Sequence, residues 1–224
     1  MKKWGMAIIA IVVLMLSGTG ASALPTLSGS ISYPTGIYAP AGTDWALAGN
    51  PTTLYWNVSY NATTEKWTYM YTWYTPRKDL SHIIVEVTPG AVASDFTFSE
   101  YEFVKMDGIG TYTATSEGNS NPGMPGAMYG MKISPTEKTT YITFSFETWR
   151  PPVWGDFYAK DGNVGPVYAY NTGFLDADPN SDAGDGKHIV VPDGTGTSLV
   201  PEPGTMILLG LGLIGIAIVM RELL

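Results

Sequence analysis

Leu54 to Tyr74 reads LYWNVSYNATTEKWTYMYTWY, and its period decides the fold. Leu54, Trp56, Val58 and Tyr60 fall on every second residue, with Asn57 and Ser59 between them. After a polar turn over Asn61 to Lys66, the residues Trp67, Tyr69, Tyr71 and Trp73 repeat the alternation. A spacing of two places these side chains on one face of a strand, whereas a helix would bring together residues three or four apart. Two such runs joined by a short turn predict an antiparallel hairpin with aromatic pairs across the strands.

The pattern continues outward from the hairpin. Ile83, Val85 and Val87 alternate with His82, Ile84 and Glu86, and Phe96 with Phe98, then Ile142, Phe144 and Phe146, keep the same step. The chain holds 26 Gly and 16 Pro, with 12% aromatic and 14% charged residues, a mixture that favours short strands and turns over helices. No segment between the two ends has a helical apolar stripe. The expected fold is all-β, an antiparallel β-sandwich of jelly-roll or Ig-like type over residues 24–175. It is flanked by an N-terminal signal helix and a C-terminal transmembrane helix. Residues 176–199, rich in Asp, Gly, Ser and Asn, read as an acidic linker with too little apolar surface to pack.

The formal net charge is −8 and there is no Cys. An acidic body repels phosphate backbones, which sets nucleic-acid binding aside. Without Cys there is neither a disulfide framework nor a thiolate metal site.

Both ends read as addresses. In residues 1–23, Lys2 and Lys3 precede a short apolar run from Met6 to Leu16. A small-residue exit, Ala21-Ser22-Ala23, then puts cleavage before Leu24. This is the pattern of a secretory signal peptide, which implies the Sec export machinery and signal peptidase as partners. At the other end, Met206 to Met220 is apolar on every face and is stopped by Arg221. At about 1.5 Å per residue that run reaches about 22 Å, against a hydrocarbon core of about 30 Å. A helix this short suits a temporary membrane handle better than a permanent anchor.

Val200-Pro201-Glu202-Pro203, followed by the apolar run and the basic stop, resembles the PEP-CTERM sorting tail of exported Gram-negative bacterial proteins. The resemblance covers residues 200–224. It implies that an exosortase, a membrane-embedded protease, recognises Pro201-Glu202-Pro203 and cuts at or near it. It also implies an exopolysaccharide-producing setting and a final place at the cell surface or outside the cell. Tails of this kind usually end in clustered Arg or Lys, whereas this one ends Arg221-Glu222-Leu223-Leu224. The motif also makes physical sense, because two prolines around one Glu hold an extended segment that joins neither helix nor sheet. Lys78 to His82, Pro152 to Gly162 and Ala169 to Phe174 resemble segments of other proteins with this tail, whose roles are mostly unassigned.

Candidates for chemistry are sparse. His82 opens a strand and His188 lies in the linker, so no Ser-His-Asp relay or two-His metal site is expected, and there is no G-x-S-x-G elbow. Glu100 and Glu102 would share a strand face about 7 Å apart, a spacing better explained by a solvated face than by a glycosidase pair. Asp176, Asp178, Asn180, Asp182 and Asp185 alternate oxygen donors as a Ca²⁺ loop does. Ser181, Pro179 and Lys187 break the EF-hand pattern, so a solvated acidic linker is the default. Tyr55, Tyr74, Trp149, Trp154 and Tyr158 are candidates for a sugar-stacking platform, weighed against simple packing. The expectation is a non-enzymatic exported protein of the cell envelope or extracellular matrix, with no catalytic residue, cofactor or metal. The alternative is a carbohydrate-binding module for exopolysaccharide.

Overall fold

The structure, a computed structural model, describes residues 27–99, 103–115, 121–162, 167–179 and 183–192. Ala21, Ala23 and Leu24, the sorting residues Val200, Pro201, Glu202 and Pro203, and Arg221 lie outside the described residues. So do Glu100, Glu102, Asn180 and Asp182, and both expected terminal helices. Among the described residues no helix is long and apolar enough to cross a membrane.

The described chain is nearly all β. In order its strands are β1 (Ser28–Ser32), β2 (Ile37–Tyr38), β3 (Thr53–Asn61), β4 (Lys66–Tyr74) and β5 (Leu80–Glu86). A 3₁₀ turn at Ala93–Asp95 follows, then β6 (Thr97–Phe98), β7 (Val104–Tyr112), β8 (Met128–Pro135) and β9 (Tyr141–Thr148). The last four are β10 (Pro152–Gly155), β11 (Phe157–Asp161), β12 (Tyr168–Asn171) and β13 (Ile189–Pro192).

The hairpin forms as its period requires. Leu54 lies opposite Trp73, Trp56 opposite Tyr71, Val58 opposite Tyr69 and Tyr60 opposite Trp67, the last pair with ring centroids 4.9 Å apart. At the turn, Asn61 Oδ1 accepts the N–H groups of Thr63 at 2.9 Å and Thr64 at 3.3 Å. This Asx geometry reverses the chain, and Glu65 enters the left-handed region at φ +54°.

Strands pair antiparallel into a five-stranded sheet of order β1-β3-β4-β9-β6, a six-stranded sheet of order β2-β12-β11-β5-β8-β7, and the pair β10-β13. The alternating apolar residues of both large sheets meet in one core. Trp73 packs on Trp45 from one side (centroids 5.2 Å) and on Phe157 of the six-stranded sheet from the other (5.8 Å). Tyr71 stacks on Phe144 at 5.2 Å. Core tyrosines need partners for their hydroxyls: Tyr69 donates to the Arg150 carbonyl at 2.9 Å, and Tyr71 to the Val190 carbonyl at 2.7 Å. Burying each such ring contributes about 1.5–3 kcal/mol. A second cluster, of Ile84, Met124, Met128, Tyr158 and Phe174, covers the other face of the six-stranded sheet.

The expectation of a linker over 176–199 needs correction. Ile189–Pro192 is buried throughout and pairs with β10, Val190 opposite Trp154. Only three apolar residues in a row, Ile189 to Val191, drive this, and an Asp- and Gly-rich surround hides them from any averaged composition. Gly184, at φ +65°, lets the chain pass close beneath Trp154, whose ring lies 2.6 Å from where a Cβ would sit.

Candidate functional site

The outer face of the five-stranded sheet is built by the residues out of phase with the core. Across it, Ser30, Tyr55, Thr72 and Thr143 form one row by register, and Ser32, Thr53, Tyr74 and Tyr141 form the next. Hydroxyls bridge the strands: Thr72 Oγ1 to Thr143 Oγ1 at 2.9 Å, Ser32 Oγ to Thr53 Oγ1 at 2.9 Å, and Ser99 Oγ to Ser145 Oγ at 3.2 Å. The Tyr74 hydroxyl is locked to the Asn50 amide at 2.8 and 3.0 Å. These two rows carry no charged side chain; the pair Lys66–Glu147, at 3.9 Å, lies at the turn end of the sheet.

Tyr55 (49% exposed) and Tyr141 (56%) present their rings to solvent. Directly opposed residues such as Tyr74 and Tyr141 sit about 5 Å apart at Cβ, and diagonal ones such as Tyr55 and Tyr74 about 7–8 Å. By register, Tyr74 and Tyr141 are neighbours in one row and Tyr55 lies in the row beside it. Beyond Tyr141 the face runs into a cleft of about 390 Å³ lined by Phe103, Val104, Glu137, Lys138, Thr139, Tyr141, Ile142 and Thr143. Its rim holds a second exposed aromatic, Phe103.

The five aromatics weighed as candidates for a platform therefore part company. Tyr55 and Tyr74 share this face, and Trp149 is exposed just past β9. Trp154 and Tyr158 belong to the two cores, where the packing reading weighed for them holds. Tyr141 and Phe103 were missed. Tyr141 was legible, since it precedes the inward series Ile142, Phe144, Phe146 by one residue and so must point outward.

The two histidines are both buried. His82 Nε2 lies 2.9 Å from Asn121 Oδ1, and burial, reinforced by the Lys132 charge, pushes its pKa down to about 4. It is a neutral packing group at neutral pH. Of the candidate Ca²⁺ donors, Asp185 turns to accept the N–H groups of Lys187 at 2.7 Å and His188 at 3.2 Å. Asp176 meets Lys187 at 3.4 Å and Asp178 lies 3.9 Å from His188 Nε2. Among the described residues, which leave out Asn180 and Asp182, no three acidic or His side chains converge on one point.

A family model of the PEP-CTERM protein-sorting motif matches residues 199–221. No curated protein and no solved structure matches the chain. The matched stretch contains the four residues Val200 to Pro203 and ends on Arg221. By that tail the chain is a PEP-CTERM domain-containing protein, exported and targeted to an exosortase.

Proposed function

We propose that the protein is a non-enzymatic component of the cell envelope or extracellular matrix, carried outside in an exopolysaccharide-linked system. Sec and signal peptidase release the N-terminus before Leu24, and the C-terminal helix holds the chain in the membrane. An exosortase then cuts at or near Pro201-Glu202-Pro203, freeing the β-sandwich body to the surface or beyond. The observation that carries this reading is the sorting motif over 199–221, which follows in sequence the last described strand, Ile189–Pro192. Mass spectrometry of the protein recovered from its own cells tests it. The expected mature form starts at Leu24 and lacks Met206 to Leu224; an intact tail on the mature protein overturns the processing.

The outer sheet face supports a second reading, binding of exopolysaccharide. Sugar rings present flat apolar faces and equatorial hydroxyls, and a neutral face with Ser, Thr, Asn and spaced Tyr rings offers partners for both. Binding of the purified exopolysaccharide should fall at least tenfold in Tyr141→Ala while Tyr141→Phe keeps it. Folded wild type that binds no exopolysaccharide ends this reading and leaves the sorting one untouched.

A further inference from the structure

The two ends of the described body lie together. Leu27, ahead of β1, accepts the Val58 N–H at 2.6 Å. Pro192, which closes β13, lies opposite Pro152. Val58 faces Tyr69 across the hairpin, and the Tyr69 hydroxyl donates at 2.9 Å to the carbonyl of Arg150, two residues before Pro152. Along β3, Val58 is followed by Tyr60 and then by the turn over Asn61 to Lys66. Both β1, read backwards, and β13, read forwards, therefore run toward the end of the sandwich that carries this turn.

Exposed rings stand at that end. Tyr60 faces Trp67, and Trp67 faces Thr148. Trp149, the next residue, is thus about 10 Å from Tyr60, two strand spacings away. Trp149 is 47% exposed and Tyr60 37%, and no other Trp among the described residues is exposed. Val92, also exposed, donates its N–H to Asp95 at 3.0 Å, and Asp95 pairs with Arg150 beside Trp149. Charges on the strand ends here are matched, Lys66 with Glu147 at 3.9 Å and Arg150 with Asp95; Glu65, in the turn, adds one negative charge. A chain of formal net charge −8 can therefore bring this end to anionic headgroups with little repulsion.

Thirteen residues separate Pro192 from the apolar run that starts at Met206, and ten separate Leu16 from Leu27. Fully extended, they span at most about 50 Å and about 40 Å. With the tail in the bilayer, both tethers hold this end of the body toward the membrane. We propose that the end is a membrane-contact surface, an inference that rests on that reading of the tail: Trp149 and Tyr60, with Val92 beside them, seat in the headgroup region of the bilayer. Trp and Tyr settle at this depth because the ring leaves water while its N–H or O–H stays wet. An orientation follows. Tyr141, at the other end of β9, is about 24 Å away, so the cleft beside it opens away from the bilayer while the chain is still held.

The chain has no Cys, so one introduced thiol takes a dye at a single place. The full-length chain is reconstituted through its tail into vesicles of phosphatidylethanolamine and phosphatidylglycerol, with the acyl chains brominated near the headgroup. The dye sits at Thr63→Cys, on the turn, or at Lys138→Cys, at the far end. Bromine quenches on contact, so the dye at 63 should be quenched at least about threefold more than at 138, about 24 Å further out. Trp149→Ser, on an exposed side chain that leaves the fold intact, should cut the quenching at 63 at least about twofold, and Tyr60→Ser should cut it further. Vesicle flotation separates the two readings. A chain that does not float with the vesicles overturns the tail reading and this surface with it. A chain that floats but is quenched equally at 63 and 138 overturns this surface alone; with lipid the only partner present, that end would then belong to a protein contact or to none. Quenching at 63 that survives both serine substitutions unchanged also overturns it, because the tether then sets the distance by itself.

Discussion

Asp156→Asn should stabilise the protein, and by an amount that depends on pH. Asp156 sits between β10 and β11 with its carboxyl against Asn171 and Glu86 close by. Burial first, and the Glu86 charge after it, raise its pKa from 3.8 to about 7, against the lowering effect of the Asn171 hydrogen bond. Between those values the folded chain keeps a proton that the unfolded chain has released. Stability contributed at this site therefore falls as pH rises from about 4 to about 7 and stays lost above. At about 1.4 kcal/mol per tenfold in proton affinity, the loss above pH 7 is at most about 4 kcal/mol. Asparagine has no proton to lose, and its amide oxygen can still accept from Asn171. Urea denaturation of wild type and variant, in EDTA, should give nearly equal stabilities at pH 4 and a variant more stable by 1–4 kcal/mol at pH 8. His82 acts in the opposite sense, since its neutral, buried form contributes above pH 6.5 and is lost as pH falls toward 4. The comparison must therefore be variant against wild type at each pH, which cancels His82. A difference that is flat from pH 4 to 8, or a variant weaker at pH 8, refutes the reasoning.

Three further outcomes are expected. Val190→Asp should cost at least about 3 kcal/mol or abolish folding, because Val190 is fully buried and its carbonyl holds the Tyr71 hydroxyl; a circular-dichroism melt like that of wild type would detach β13 from the core. Arg150→Ala leaves the buried Asp95 carboxylate without its ion-pair partner, and denaturant melts should show a loss of about 3–5 kcal/mol, partly restored by adding Asp95→Ala. Trp73→Ala, which empties the space between Trp45 and Phe157, should cost about 3–5 kcal/mol in the same melts, and a loss under 1 kcal/mol would mean the two sheets do not share that ring.

What was legible in the sequence was what neighbours in the chain decide. A period of two set the β3–β4 hairpin, assigned Trp67, Tyr69, Tyr71 and Trp73 to the core, and put Tyr55 and Tyr74 on the opposite face. The sorting motif was equally legible, because it is written in consecutive residues. Partners far apart in sequence were not legible. Alternation along β5 marks Ile83 and Val85 as inward but says nothing about Met124, Met128 and Phe174, which cover Ile84 and bury the second face as well. Composition made residues 176–199 a spacer, yet Ile189 to Val191 gain a strand partner and a core once β10 is beside them. The same docking turns His188 from a linker residue into a buried imidazole facing Asp178. Periodicity and local motifs are written in adjacent residues, and so the sequence alone determined the fold class and the address of this protein. Burial is a property of what packs from elsewhere in the chain, and so only the tertiary structure decided which aromatics meet solvent and which acidic residues meet His188.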